Sequence, residues 1–267
     1  TGLQIRHTNV GGRSTNGGPS EAAPVNRGLV RFVDAPDNRI SGLFRNEGTV
    51  RWEAGRVLLP VGGRFECPTP GSRWLHPAML TTLVYRFGPP GVTPSRPDRM
   101  MANGQCMAVP RVPFLAWGAM ESVRGEVVED LALARRLATD GRRVGFLDAS
   151  DLLTVRMFES LGDAWSGWGR SLALPGVEPR RRQLFDLALI VLAQVLPIPR
   201  LLLRRGDAID VVLAATRLGT LVGTRRAYER NDAAYWLSPL ADPVAAVAIA
   251  RGITRRGRQT WRGRSYA

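Results

Sequence analysis

The chain has 267 residues, of which 44% are hydrophobic, and it carries a formal net charge of +14. This length allows one or two modest domains. With two histidines and two cysteines, the composition argues against a Ser-His-Asp triad, a histidine-rich metal site and a disulfide-rich scaffold. All 37 basic residues are arginine. Because arginine pairs bidentately with phosphate, nucleic acid, anionic lipid and a nucleotide-sugar diphosphate are all possible partners.

Residues 1–71 differ in composition from the rest of the chain, because they are rich in Gly, Arg, Asn, Pro and Ser. The tract at 11–20 is typical of a flexible or disordered segment. A short strand is predicted at 29–33. It ends in Asp34-Ala35-Pro36-Asp37, a spacing that is typical of a turn. We interpret 1–71 as an atypical N-terminal segment that is partly disordered.

Residues 72–174 alternate helical and strand patterns, which indicates a mixed α/β domain. Apolar residues at helical spacing predict a helix at 77–87, and a Pro/Gly loop follows it at 88–97. The pair Asn103-Gly104 is a turn signal in front of a predicted strand at 105–109. A second short strand is predicted at 144–147.

Two adjacent carboxylates, Glu129 and Asp130, begin a predicted helix that ends at Gly141. One face of that helix is apolar and is expected to be buried: Leu131, Ala134, Leu137 and Ala138. The helix macrodipole favours the ionised form of carboxylates in a first turn. An ionised carboxylate held at a helix start can act as a general base. It can equally do no more than stabilise the helix end, and the pair alone leaves both interpretations open.

Trp165 and Trp168 lie three residues apart, on one face of a further predicted helix. An indole suits stacking on a sugar and also suits a membrane interface. Simple core packing is an equally good interpretation.

Residues 175–267 consist of apolar segments separated by arginine clusters. The segment at 184–203 has about the length of a membrane span, roughly 20 residues. Asp186, Gln194, Pro197 and Pro199 weaken it, so we expect it to be tilted, kinked or partly interfacial. Weaker apolar segments follow at 208–223 and 235–250. Arginines at segment borders favour membrane association, and the alternative is a soluble helical bundle with basic loops.

Four segments occur in a fixed order: MANGQC at 101–106, VVEDLALARRL at 127–137, RMFESLGDAWSGWGR at 156–170 and TWRGRSY at 260–266. Together they resemble the C-terminal half of membrane-bound family 2 glycosyltransferases, in particular the branch associated with hopanoid and carotenoid glycosylation. The resemblance covers roughly residues 77–172 and the C-terminus. It implies an α/β fold, with a partial GT-A-like, Rossmann-like mixed sheet at 72–174. It also implies a C-terminal α-helical membrane region at 175–267.

The resemblance implies an inverting, hexosyltransferase-type enzyme that moves sugar from a nucleotide donor to a lipid acceptor. Asp130 would be the base and Glu129 its neighbour. The implied substrate-binding residues are Asn103, Gly104, Gln105, Arg156, Trp165 and Trp168. Among them, Arg156 is the candidate that stabilises the negative charge of the leaving diphosphate, because it opens the stretch that in related enzymes carries a phosphate-side helix. A divalent cation, Mg or Mn, is implied, with Asp34 and Asp37 as weak candidate ligands. The implied location is the membrane, with the catalytic part facing the cytoplasm.

The nucleotide-binding start of the glycosyltransferase fold is not recognisable before residue 72. We therefore expect that it is missing or altered, for example by truncation or by a shifted reading frame. One alternative is an inactive remnant of such an enzyme. The other is a basic nucleic-acid-binding protein, although no motif of that class is present and we expect no nucleic-acid partner.

Overall fold

A computed structural model describes residues 56–88, 94, 96–104, 106–109, 111–148, 150 and 154–254. Only the backbone is described at 56, 57, 59, 111, 147 and 170, and in the short strands nearer the two ends. The described chain combines helices with a small set of short strands, as the predicted α/β class requires, and helices predominate.

The strands are short. They are β1 (Val25–Asn26), β2 (Leu29–Phe32), β3 (Arg45–Asn46), β4 (Thr49–Trp52), β5 (Arg56–Gly62), β6 (Arg64–Glu66), β7 (Met107–Ala108), β8 (Arg143–Val144), β9 (Leu147–Asp148), β10 (Thr154–Arg156), β11 (Gln259–Trp261) and β12 (Arg264–Tyr266). In the first 55 residues, β1 pairs with β3 and β2 with β4, both in parallel. At the other end β11 and β12 form an antiparallel hairpin.

The helices are longer. They are α1 (Pro70–Phe87), α2 (Arg111–Ala116), α3 (Glu129–Thr139), α4 (Leu161–Ser171), α5 (Arg180–Ile190), α6 (Pro197–Leu202), α7 (Ala208–Thr224), α8 (Ala233–Trp236) and α9 (Asp242–Thr254). Single 3-10 turns occur at Pro97–Arg99, Glu121–Val123, Arg225–Ala227 and Ser238–Ala241, and Val191–Val195 is π-helical.

The central sheet is mixed. Strand β5 pairs in parallel with β8 and β9 along one edge and antiparallel with β7 along the other. Strand β6 follows β5 after the single residue Gly63 and pairs in parallel with β10. The carboxyl ends of β5 and β9 therefore point the same way, which is where mixed α/β sheets bind ligands.

Helix α3 packs on this sheet as its periodicity predicts. Leu131, Ala134 and Leu137 are buried as predicted, whereas Ala138 is only partly buried. Leu133, which the predicted face did not include, is also buried and packs in one cluster with Leu58 of β5. The helix ends before Gly141, whose φ of 76° is in the left-handed region that favours glycine at a helix stop.

Helix α1 lies between the two parts of the molecule and begins with a capping box made by Thr69 and Ser72. Its buried residues Leu75, Ala78 and Met79 pack in one cluster with α4, α5 and α9. Its last residue, Phe87, packs instead with Leu131 of α3. Residues 72–174 and 175–254 thus share a core.

Helix α9 approaches α4 closely because both helices carry small residues at the contact. A Cβ on Gly252 would lie 3.4 Å from the carbonyl oxygen of Gly169, and a Cβ on Gly169 would lie 3.7 Å from the Cβ of Ala248. Ala245, Ala248 and Ile249 of α9 are also buried in this cluster. The apolar segment predicted at 235–250 is interrupted at Asp242-Pro243 because α9 begins there, and proline is tolerated in a first turn.

Candidate active site

A cavity of about 920 Å³ lies between the carboxyl end of β5, helix α1, the start of α3 and the end of α7. Most of its wall is apolar, and Leu83, Phe87, Met101 and Leu174 are among its lining residues. Among the described residues, its charged lining residues are Glu129, Asp130, Asp148 and Arg226. It is large enough for a substrate of several hundred cubic ångströms.

Asp130 lies in the wall of this cavity, beside the turn that contains Gly104. The backbone N–H of Leu131 donates to Oδ1 of Asp130 at 2.8 Å, and the backbone N–H of Gly104 also donates to this carboxylate. A Cβ on Gly104 would come within 3.4 Å of Oδ2. The fold therefore brings together two segments that are 26 residues apart in the sequence, and a glycine at 104 leaves the carboxylate accessible.

The pKa of the Asp130 carboxyl is raised above its ordinary value, chiefly because the half-buried group is desolvated. The N–H groups of Leu131 and Gly104 offset part of this shift, and the charge of Glu129 adds to it. Burial therefore outweighs the first-turn effect that favours the ionised form. A carboxylate with a raised pKa is a stronger base, as general base catalysis near neutral pH requires.

The cavity contains a second aspartate that the sequence reasoning missed. Asp148 ends β9 and lines the cavity, and its Oδ1 accepts a hydrogen bond from the backbone N–H of Ser150 at 3.0 Å. Its position after a short apolar strand was the available signal, because ligands bind at the carboxyl ends of parallel strands. Exposed Glu129 lines the cavity next to Asp130.

Some of the other predicted substrate-binding residues line the cavity and some do not. Asn103, Gly104 and Trp168 line the cavity. Trp168 also packs against the ring of buried His76, with 4.4 Å between the ring centroids. Trp165 is not among the lining residues; it packs against the α1–α4–α9 cluster, and the Arg251 guanidinium lies 5.7 Å from its ring. Gln105 lies outside the described residues.

Arg156 is not brought to the cavity. Its side chain is 58% exposed and forms ion pairs with Glu159 at 2.8 Å and Glu66 at 3.3 Å. These two carboxylates raise the pKa of its guanidinium. Arg156 ends β10, and its two ion pairs hold its head group on the surface of the sheet edge rather than in the cavity.

The metal site implied by the resemblance is not found in the described part of the chain. Among the described residues, no group of three or more His, Cys, Asp or Glu side chains is arranged to hold a metal ion. The candidate ligands Asp34 and Asp37 lie outside the described residues. The described residues alone therefore do not form a metal-binding site. The mechanism proposed below contains no metal-dependent step.

The helical region beside the cavity has an apolar outer surface. Fourteen of the eighteen exposed large hydrophobic residues within the described part of the chain lie between 184 and 247. The run Arg180–Leu202 has the length and composition of a membrane span, and only 22% of its most apolar stretch is buried. This run contains the π-helical turn, which directly precedes Pro197 and Pro199 and accommodates their missing N–H donors.

Comparison with known proteins gives no match to a family model, to a curated protein or to a solved structure.

Proposed function

We propose that the chain is a membrane-associated glycosyltransferase of inverting type, whose described sheet and α3 form the acceptor half of a GT-A-like domain. It moves a sugar from a nucleotide donor to a lipid-type acceptor of the hopanoid or carotenoid kind. The observation that carries this proposal is the position of Asp130. Its carboxylate lies beside Gly104 and faces a large cavity, without an arginine partner within the described residues.

In the proposed reaction the ionised Asp130 carboxylate accepts the proton of the acceptor hydroxyl. The acceptor oxygen then forms a bond to the anomeric carbon. The bond from that carbon to the phosphate oxygen breaks, and the nucleoside diphosphate leaves with the electron pair. One base within hydrogen-bonding reach is sufficient for this displacement. Trp168 at the cavity wall supplies a ring face on which a sugar can stack.

Two features support a lipid-type acceptor. The cavity wall is mostly apolar, which suits an alcohol attached to a large hydrocarbon. Helix α7 contributes Thr220, Gly223 and Thr224 to that wall, while Val212 and Leu218 of the same helix are exposed to the outside. Helix α7 therefore has one apolar face toward solvent and another part in the cavity wall, as a lipid-type acceptor would require.

The proposal is tested by a transfer assay with the full chain in lipid vesicles. Radiolabelled UDP- and GDP-sugars are supplied with a hopanoid alcohol or a hydroxylated carotenoid, and label is measured in the organic phase. We expect wild type to transfer label from at least one donor. Background incorporation with every donor would contradict the proposal and favour the inactive-remnant alternative.

A matched pair of glycines in α7 shows whether the cavity is the place of transfer. Gly223 lines the cavity and Gly219, one turn earlier, does not; a Cβ meets open space at both. Leucine improves the helix propensity equally at both positions, so effects on folding cancel. We expect Gly223→Leu to abolish most transfer and Gly219→Leu to retain it. Equal rates in the two variants would contradict a reaction in this cavity.

A further inference from the structure

Arg226 contributes the positive charge in the cavity wall. It belongs to the 3-10 turn Arg225–Ala227 that follows α7, and it is the one basic side chain among the lining residues that the structure describes. Three carboxylates, Glu129, Asp130 and Asp148, line the same cavity. A molecule that fills this cavity would therefore meet both a cation and a candidate base.

The position of this turn is fixed by the sheet. Tyr228 bridges to Phe65 of β6, and the backbone N–H of Glu229 donates to the Phe65 carbonyl at 3.0 Å. The Tyr228 hydroxyl also hydrogen-bonds Nδ1 of His76 in α1 at 2.8 Å. The residues that directly follow Arg226 are therefore anchored to β6 and α1, which fixes the turn beside the cavity.

Arg135, Arg156 and Arg217 have carboxylate partners, whereas Arg226 has none within the described residues. Arg135 pairs with Glu178 at 2.8 Å and Arg217 with Asp242 at 2.8 Å, and Arg156 pairs on the surface as described above. Arg226 forms no ion pair with any carboxylate in the described part of the chain. Its guanidinium donors are available to an anion, and phosphate oxygens are the acceptors that match their geometry.

We infer that Arg226 binds the diphosphate of the sugar donor, a role that the sequence assigned to Arg156. The inference rests on the proposed transfer reaction. When the bond between the anomeric carbon and the phosphate oxygen breaks, its electron pair stays on that oxygen and the diphosphate gains negative charge. The guanidinium donates hydrogen bonds to these oxygens, while the proton of the acceptor hydroxyl goes to Asp130. Charge stabilisation of this kind lowers the barrier to leaving-group departure.

Arg225 provides a matched control. It is the neighbouring residue in the same 3-10 turn, it has the same charge and is likewise exposed, but it does not line the cavity. The full chain is purified in a zwitterionic detergent. Binding of inorganic pyrophosphate, UDP and GDP is then measured by calorimetry for wild type, Arg226→Gln and Arg225→Gln. We expect Arg226→Gln to weaken binding about 10- to 100-fold, as loss of a hydrogen-bonded charge does. Arg225→Gln should change it less than about threefold.

Three results overturn the inference. The first is that wild type binds none of the three probes, and the second is that both variants weaken binding equally. The third arises in a parallel experiment with phosphatidylglycerol vesicles, which tests a lipid headgroup as the source of the phosphate. Weaker vesicle binding by Arg226→Gln with unchanged diphosphate binding assigns the residue to the lipid and overturns a donor role.

The binding experiment separates this inference from the proposed function. If Arg226-dependent diphosphate binding occurs but wild type transfers no sugar to any lipid, Arg226 is a diphosphate-binding residue and the proposed reaction is wrong. If wild type transfers sugar while Arg226→Gln binds diphosphate as wild type does, the reaction stands and the role of Arg226 is wrong.

Discussion

Two aspartates lie in the first turns of helices but have different tertiary partners. Asp130 lies in the first turn of α3 and Asp242 in the first turn of α9. Asp242 is 1% exposed and accepts two hydrogen bonds from Arg217, at 2.8 and 2.9 Å, and one from Gln194 at 2.7 Å. Asp130 accepts only backbone N–H groups within the described residues and faces a cavity.

This difference shows that an acidic first turn does not reveal the role of its carboxylate. The helix start supplies a favourable dipole in both cases. The tertiary partners decide the rest: Arg217 and Gln194 satisfy Asp242 inside the helical core, whereas no described side chain pairs with Asp130 in this way. A satisfied buried charge supports the fold, and an accessible one is available for chemistry.

The largest expected effect is the loss of transfer in Asp130→Asn. Removing a general base lowers the rate by about 10²- to 10⁴-fold. The amide keeps the shape of the side chain and removes a half-buried charge, so the melting temperature should not fall. Both quantities are measured on the same preparation. Asp140→Asn, at the exposed end of the same helix, is the control and should transfer sugar as wild type does. Equal loss in the two variants would contradict a specific role for Asp130.

The same substitution at the second aspartate should give the opposite result. Asp242→Asn leaves the guanidinium of Arg217 buried without its counter-charge, and breaking such a pair costs about 3–5 kcal/mol of stability. We expect a clearly lower melting temperature in detergent, together with a loss of transfer that follows the amount of folded protein. A melting temperature equal to that of wild type would show that the two carboxylates are not distinguished by their partners.

The pH dependence of transfer should report the raised pKa of Asp130. An ordinary aspartate loses its proton near pH 4, and desolvation moves this ionisation to higher pH. Transfer should therefore rise with pH through a midpoint above the ordinary value. The raised pKa also means that the folded state binds the Asp130 proton more tightly than the unfolded state does. The stability that Asp130 contributes therefore declines as pH rises through the shifted pKa. A rate that is already constant above pH 4 would contradict the assignment.

The smallest expected effect is that of Arg156→Gln. Its ion pairs with Glu66 and Glu159 are exposed to solvent, and exposed pairs contribute little. We expect transfer, diphosphate binding and melting temperature to stay close to wild type, in contrast to Arg226→Gln. A large loss of transfer in Arg156→Gln would restore the role that the sequence assigned to it.

Local sequence features predicted several elements because their causes lie within a few residues. The spacing of Leu131, Ala134 and Leu137 predicted the buried face of α3, and Gly141 predicted its end. The apolar segment at 208–223 corresponds closely to α7. The Asn103-Gly104 turn signal correctly placed a turn in front of a strand, although the strand is shorter than predicted.

Side-chain partners over long sequence distances were decided by the tertiary structure alone. Asp148 and Arg226 reach the cavity only because β9 lies beside β5 and because the turn after α7 bridges to β6. Arg156 fits a phosphate-binding motif by its position in the sequence, but Glu66, 90 residues away, pairs with it on the surface. Periodicity and turn chemistry act between neighbours and can be derived from the chain. The electrostatic environment of a charge depends on which groups the fold brings within a few ångströms, and the order of residues does not specify that.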